Sequence, residues 1–239
     1  MINKNEIAIF LAARSGSKRL PKKHFLKINS KLRIIDLCIL RLKKVKLVKK
    51  IFLCTTQKKE DDRFKGVCKM HNINLFRGST NNVAKRIIDC AIENNIKTII
   101  RITADCPVID PEIIDKCVKK HFQKKSDYTT NTLNLSFPDG LDVEVINLDV
   151  LVKSQKLSKK IGNREHVTPY IRKSKKFKKY NYKNIKNFSN RRWTLDNQED
   201  YYFLRDIIHY FWPKIYFTWK DIIKAEKFNK SLINVKERM

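Results

Sequence analysis

The sequence predicts an α/β fold with a mostly parallel, doubly wound sheet in three α/β/α layers. Three observations point there. Short apolar runs alternate with segments whose apolar residues recur at helical spacing, the pattern of successive βα units. The first apolar run, Ile7 to Leu11, opens into a loop of small and cationic residues, the usual position of a ligand loop in such sheets. The chain has 239 residues, enough for one domain of this class with a real core.

The elements follow in order. Ile7 to Leu11 reads as a buried strand and Ile34 to Val45 as a helix ending in lysines. Ile51 to Cys54 is a short strand, Asp61 to Met70 a helix, Asn74 to Phe76 a strand and Val83 to Glu93 a helix. Thr98 to Ile102 is the next strand. Asp110 is placed to cap a helix that has Pro111 at its first position and runs to about Lys120. The second half is less regular. Tyr128 to Asn131 suits a strand, Phe137 to Gly140 a turn, and Leu141 to Ile146 alternates apolar residues with Asp142 and Glu144. Leu148 to Leu157 is helical, Lys173 to Lys186 is a basic surface strand with loops, and Arg192 to Leu195 is a strand. Helices from Gln198 to Tyr210 and from Lys220 to Phe228 complete the chain. One domain is expected over 1–239, with 142–186 as an excursion from it.

The loop after the first strand carries Arg14, Lys18, Arg19, Lys22 and Lys23 among Ala12, Ala13, Ser15, Gly16 and Ser17. Small residues let backbone N–H groups approach an anion, and the cations add charge-assisted bonds. A solvated basic loop is the plainer alternative, and position after a buried strand favours the phosphate cradle. The loop is not a Walker A motif, because Leu11 stands where that motif needs glycine. Two aspartates, Asp105 and Asp196, end predicted strands. Converging carboxylates suit Mg²⁺, a hard cation that takes one or two of them together with substrate phosphates. Asp196 also has a structural reading, as the cap of the next helix with Glu199 three residues on. Cys106 has no base placed beside it and reads as packing.

Net charge is +29, with 53 Lys and Arg against 24 Asp and Glu. Such a charge is the only support for a polyanion-binding protein. The lysines are spread along a chain also rich in Ile and Asn, which favours compositional bias, so no nucleic-acid partner is expected. No apolar run approaches membrane-spanning length and the start shows no signal-peptide pattern, so a cytoplasmic protein without membrane association is expected. The six cysteines form no C-x-x-C pair and read as reduced, buried, small apolar residues.

Ala13 to Lys23, A-R-S-G-S-K-R-L-P-K-K, resembles the signature of the cytidylyltransferases that activate acidic sugars, the CMP-Kdo and CMP-acylneuraminate synthetases among them. T-A-D-C-P at Thr103 to Pro107 and R-W-T-L-D-N-Q-E-D at Arg192 to Asp200 resemble two further elements of that family. Arg77-Gly78-Ser79, Asn131-Thr132-Leu133 with P-D-G-L-D-V-E-V, and R-E-H-V-T-P-Y-I-R at Arg164 to Arg172 are similar to the spore-coat polysaccharide biosynthesis protein F group. The resemblance implies a nucleotide-diphospho-sugar transferase fold of Rossmann-like type, CTP and an acidic sugar as substrates, Mg²⁺ and a homodimer. It implies catalytic roles for Arg14, Lys23 and Asp105, and metal binding by Asp105 and Asp196. Nucleotide contacts are implied at Leu11, Ala12, Ala13, Arg14, Ser15, Gly16, Lys23, Arg77, Ser79, Thr103, Ala104 and Asp105. Sugar contacts are implied at Asp139, Asp142, Glu144, Arg164, Glu165 and His166. The chain departs from the family at Lys22 and Ala104, where glycine is usual, and at Asn81 and Asn82, where an acidic pair is usual.

Overall fold

Ile7, Ile9 and Leu11 pack into one apolar cluster, and Ala8 and Phe10 into another. A strand buried on both faces needs cover on both, and helices supply it. The computed structural model describes residues 2–158 and 166–234. Its sheet has seven strands: β1 (Ile7–Ala12), β2 (Ile51–Thr56), β3 (Asn74–Gly78), β4 (Thr98–Thr103), β5 (Tyr128–Thr130), β6 (Glu144–Asn147) and β7 (Lys179–Asn181). Their spatial order is β3-β2-β1-β4-β6-β5-β7. The β3-β2-β1-β4 half is parallel throughout. β6 runs antiparallel to both β4 and β5, and β7 lies parallel to β5 at the edge. This is the mostly parallel α/β sheet that the alternating pattern predicts.

One face carries α1 (Ile34–Leu42), α2 (Arg63–His71), α4 (Pro111–Lys124), α7 (Gln198–Phe211) and α8 (Trp219–Ala225). The other carries α3 (Val83–Glu93), α5 (Leu148–Leu157) and α6 (Pro169–Lys173). α4 begins as its sequence dictates: the Asp110 side chain accepts from the Glu112 N–H at 2.8 Å, with Pro111 first in the helix. The second Asp110 oxygen accepts from the Trp219 N–H at 2.9 Å, which ties α8 to this corner. Arg41 on α1 is fully buried. Its guanidinium donates to the carbonyls of Val108, Ile109, Ile215 and Phe217 at 2.8–3.2 Å and stacks on the Phe217 ring. Carbonyl partners offset the cost of burying that charge, and the staple fixes the loop that follows Asp105.

Several boundaries differ from the sequence reading. α2 starts at Arg63, after a 3₁₀ turn over Lys59–Asp62. α1 stops at Leu42. The alternating stretch from Leu141 enters the sheet only at Glu144. Arg192 to Leu195 is extended but forms no strand, because it meets single backbone groups rather than a neighbouring strand: Trp193 N–H donates to Asp139 O and Leu195 N–H to Asp105 O. All six cysteines are free and buried. No helix among the described residues is long and apolar enough to cross a membrane.

Candidate active site

β1 and β4 are parallel neighbours, with Ala12 opposite Thr103. From β1 the chain builds outward to β2 and β3 on one side, and β4 lies on the other. That reversal makes a crevice beyond their carboxyl ends, where open α/β sheets bind ligands. The loop leaving β1 is pinned to the structure after β2. The Ser15 N–H donates to Asp61 Oδ1 at 2.7 Å, and the Ser15 hydroxyl donates to the Glu60 carbonyl at 3.2 Å. Asp61 also accepts from the Thr56 hydroxyl. Burial opposes the Asp61 charge, but these hydrogen bonds outweigh it and hold its carboxyl below the ordinary value. Ser15 is thus buried, while Arg14, Gly16, Lys18 and Arg19 are exposed around it. A fixed backbone with outward cations suits an anion.

Lys23 turns inward instead. Its ammonium donates to Leu195 O at 2.6 Å, Asp196 Oδ1 at 3.2 Å and Asp105 Oδ2 at 3.5 Å. The two predicted strand-end aspartates therefore meet on one cation. The cap reading of Asp196 is replaced: Asn197 caps α7, accepting from the Asp200 N–H at 2.9 Å. Asp200 in turn accepts from the N–H groups of Asp196 and Asn197, so it is Asp200, and not Glu199, that completes the capping box. The Asp196 side chain is left for the crevice. There Arg192 bonds its Oδ2 at 2.7 Å and Arg19 its Oδ1 at 3.1 Å. Burial works against its charge, but Lys23, Arg192 and Arg19 outweigh that and hold its carboxyl below the ordinary value. The other Arg192 nitrogen grips Asp139 at 2.6 Å. Beneath the cluster lies His24, buried, with burial and then the Lys23 charge lowering its pKa to about 4. Burial first, then the Asp105 charge, drives the Cys106 thiol far up, so it is no nucleophile.

Beside Thr103 opens a cavity of about 570 Å³, whose lining includes Arg101, Thr132, Asp142, Glu144, His166 and Arg172. Glu144 lines it and is buried. It accepts from Arg101 at 2.5 Å, Thr168 at 2.5 Å and Tyr128 at 2.6 Å. Burial opposes its charge, and Arg101 with the two hydroxyls keeps it ionised and below the ordinary value. Arg101 and Glu144 thus largely cancel. Arg172 donates to the Thr132 hydroxyl at 2.8 Å, the Thr132 carbonyl at 2.6 Å and the Tyr128 hydroxyl at 3.3 Å, and pairs with Glu144 at 3.9 Å. Two guanidiniums, Arg101 and Arg172, thus share the single Glu144 carboxylate beside the cavity.

Residues 8–224 match the cytidylyltransferase family. This chain belongs to that family. A cytidylyltransferase from Leptospira borgpetersenii is 33% identical, with a TM-score of 0.91 over 98% of this chain and 99% of that one. The spore coat polysaccharide biosynthesis protein SpsF of Bacillus subtilis is 32% identical over 70% of both chains. An uncharacterised protein of Methanocaldococcus jannaschii is 39% identical over 67% of this chain, and the match spans just under two thirds of that protein's length, 65%. The Rossmann-like nucleotidyltransferase fold follows from the sheet order and from these likenesses.

Within this cytidylyltransferase-family chain, the predicted site residues fall into four places. Leu11 to Gly16, Lys23, Thr103, Ala104, Asp105 and Asp196 gather at the β1/β4 crevice. Arg77 and Ser79 lie at the end of β3. There the Arg77 guanidinium donates to Thr56 O at 3.0 Å and pairs with Asp62, while Ser79 O accepts from Arg86 at 3.1 Å. Asp142, Glu144 and His166 line the cavity, and Asp139 clamps Arg192 outside that lining. Arg164 and Glu165 lie outside the described residues. Asn82 caps α3 by accepting from the Lys85 N–H at 2.9 Å. Sequence reasoning missed Arg101 in the cavity, and it read no role for Thr132 or Arg192, although both lie in blocks that resemble the family. The only signal for Arg172 was its place at the end of the R-E-H-V-T-P-Y-I-R block.

Proposed function

We propose that the chain transfers CMP from CTP to an acidic sugar, a 3-deoxy-2-ulosonic or nonulosonic acid, for surface polysaccharide or glycan synthesis. A sugar hydroxyl attacks the α-phosphorus, its proton is lost, the α–β anhydride bond breaks and pyrophosphate leaves. Family membership supports CTP as donor, and the likeness to SpsF supports the polysaccharide context. The observation that carries the acceptor is Arg172. An acid bound beside a triphosphate needs its own cation, and Arg172 supplies one in a cavity that adjoins the crevice through Thr103. Lys23 and Arg14 hold phosphates, and the 12–18 backbone cradles them. Little covalent work falls to the protein, so positioning and charge neutralisation dominate.

Mg²⁺ belongs to this reading. The pair Asp105 and Asp196 fits it, because the same two carboxylates already accommodate one cation, the Lys23 ammonium. Bound there, Mg²⁺ supplies Lewis-acid neutralisation of phosphate charge. The reading also includes a homodimer through the 142–186 region, which sedimentation would show as twice the chain mass.

The test is product identification by mass spectrometry, with CTP, Mg²⁺ and a panel of keto-deoxy sugar acids, neutral sugars and non-sugar acids. A CMP adduct of a sugar acid is expected. Adducts of only neutral sugars or non-sugar acids would contradict the acceptor.

A further inference from the structure

We infer that Lys23 holds the metal position shut in the nucleotide-free protein, so that its ammonium and a divalent cation take turns on Asp105 and Asp196. The inference rests on the proposed metal role of those two carboxylates. An ammonium has three donors, and Lys23 uses them on Leu195 O, Asp196 Oδ1 and Asp105 Oδ2. Its side chain is only 11% exposed, so this is a seated group and not a passing surface contact.

The other faces of Asp196 are also taken. Arg192 holds Oδ2, and Arg19 shares Oδ1 with Lys23. Arg19 is 70% exposed and leaves at little cost, whereas Lys23 blocks the space between the carboxylates. Mg²⁺ binds oxygens at about 2.0–2.1 Å, closer than either carboxylate lies to the ammonium. Two cations on the same pair of oxygens would repel strongly in this partly buried place. Metal therefore enters only as Lys23 leaves. Lys23 stands at the end of the cationic loop, on a flexible four-carbon stem, and a triphosphate lying on that loop offers it another anion. Nucleotide thus draws the lysine away and opens the carboxylates, so metal affinity depends on nucleotide.

Mn²⁺ titration without nucleotide or acceptor, followed by the electron paramagnetic resonance signal of free Mn²⁺, tests this. Wild-type protein should bind Mn²⁺ weakly. Lys23→Met should bind it ~tenfold or more tightly, since the competing charge is gone. Lys23→Gln, which keeps a donor for Leu195 O, should show the same gain should the methionine variant fail to fold. Adding Asp105→Asn or Asp196→Asn should abolish the gain. Equal Mn²⁺ affinity in wild type and both lysine variants would overturn the exclusion while leaving the metal ligands standing. A gained site that survives both asparagine substitutions would overturn the metal assignment itself.

Discussion

The backbone N–H of Leu195 donates to the carbonyl of Asp105 at 2.8 Å. One hydrogen bond between segments 90 residues apart thereby sets the two aspartate side chains around a common cation. The bond is backbone to backbone, so it fixes the relative placement whatever the side chains hold. Trp193, fully buried two residues earlier, anchors the same segment in the core.

Asp196 and Asn197 separate cleanly by role. Asn197→Ala should cost about 1 kcal/mol of stability, the usual loss for an N-cap, with turnover little changed. Asp196→Asn leaves the cap bonds of Asn197 and Asp200 in place and should remove turnover. Urea denaturation and initial rates on the two variants check this. A stability loss confined to Asp196→Asn would return the cap to Asp196.

Arg172→Ala should raise the KM for the acidic acceptor about tenfold or more while leaving the KM for CTP nearly unchanged, the signature of lost ground-state binding. Arg172→Lys should rescue only partly, because an ammonium cannot grip a carboxylate bidentately. A KM change for CTP in place of the acceptor would make Arg172 a phosphate residue.

His24 makes stability fall in acid. Above about pH 6.5 it is neutral whether folded or unfolded, and its share of stability is complete. Between about 6.5 and about 4 the unfolded chain takes up a proton that native His24 refuses, so stability drops as pH drops, and below about 4 the loss levels off. The full loss is on the order of 3 kcal/mol. Urea midpoints at pH 7 and pH 4.5 should converge in His24→Gln relative to wild type. Identical slopes in both proteins would show that His24 carries none of the dependence.

Two backbone positions give opposite outcomes. Lys22 has φ 56°, in the left-handed region that favours glycine. Lys22→Gly should therefore stabilise by up to about 1 kcal/mol. Gly140 has φ 102°, and a Cβ there would lie 2.7 Å from the Trp193 carbonyl. Gly140→Ala should cost ~2–4 kcal/mol. Melting curves of both variants decide.

Much of this architecture was legible in local chemistry. The apolar run Ile7 to Leu11, the Asp110-Pro111 helix start and the small cationic loop each state their structure within a few residues. What was illegible depends on partners far along the chain. Glu144 alternates with apolar neighbours like an exposed strand face, yet Arg101, Tyr128 and Thr168 bury and ionise it. β6 lies antiparallel between β4 and β5, a pairing no local pattern encodes. Arg192 to Leu195 has strand composition but only single backbone partners. Lys23 reads from its loop as one more cation beside a phosphate, and only the fold shows it facing two carboxylates.

The most direct test of the account is acceptor-dependent pyrophosphate release from CTP, measured side by side for wild type, Asp105→Asn and Asp196→Asn. The account predicts release by wild type only with an acidic sugar present, and a loss of about a hundredfold or more in each variant while both remain folded by circular dichroism. Undiminished release by either folded variant would contradict it.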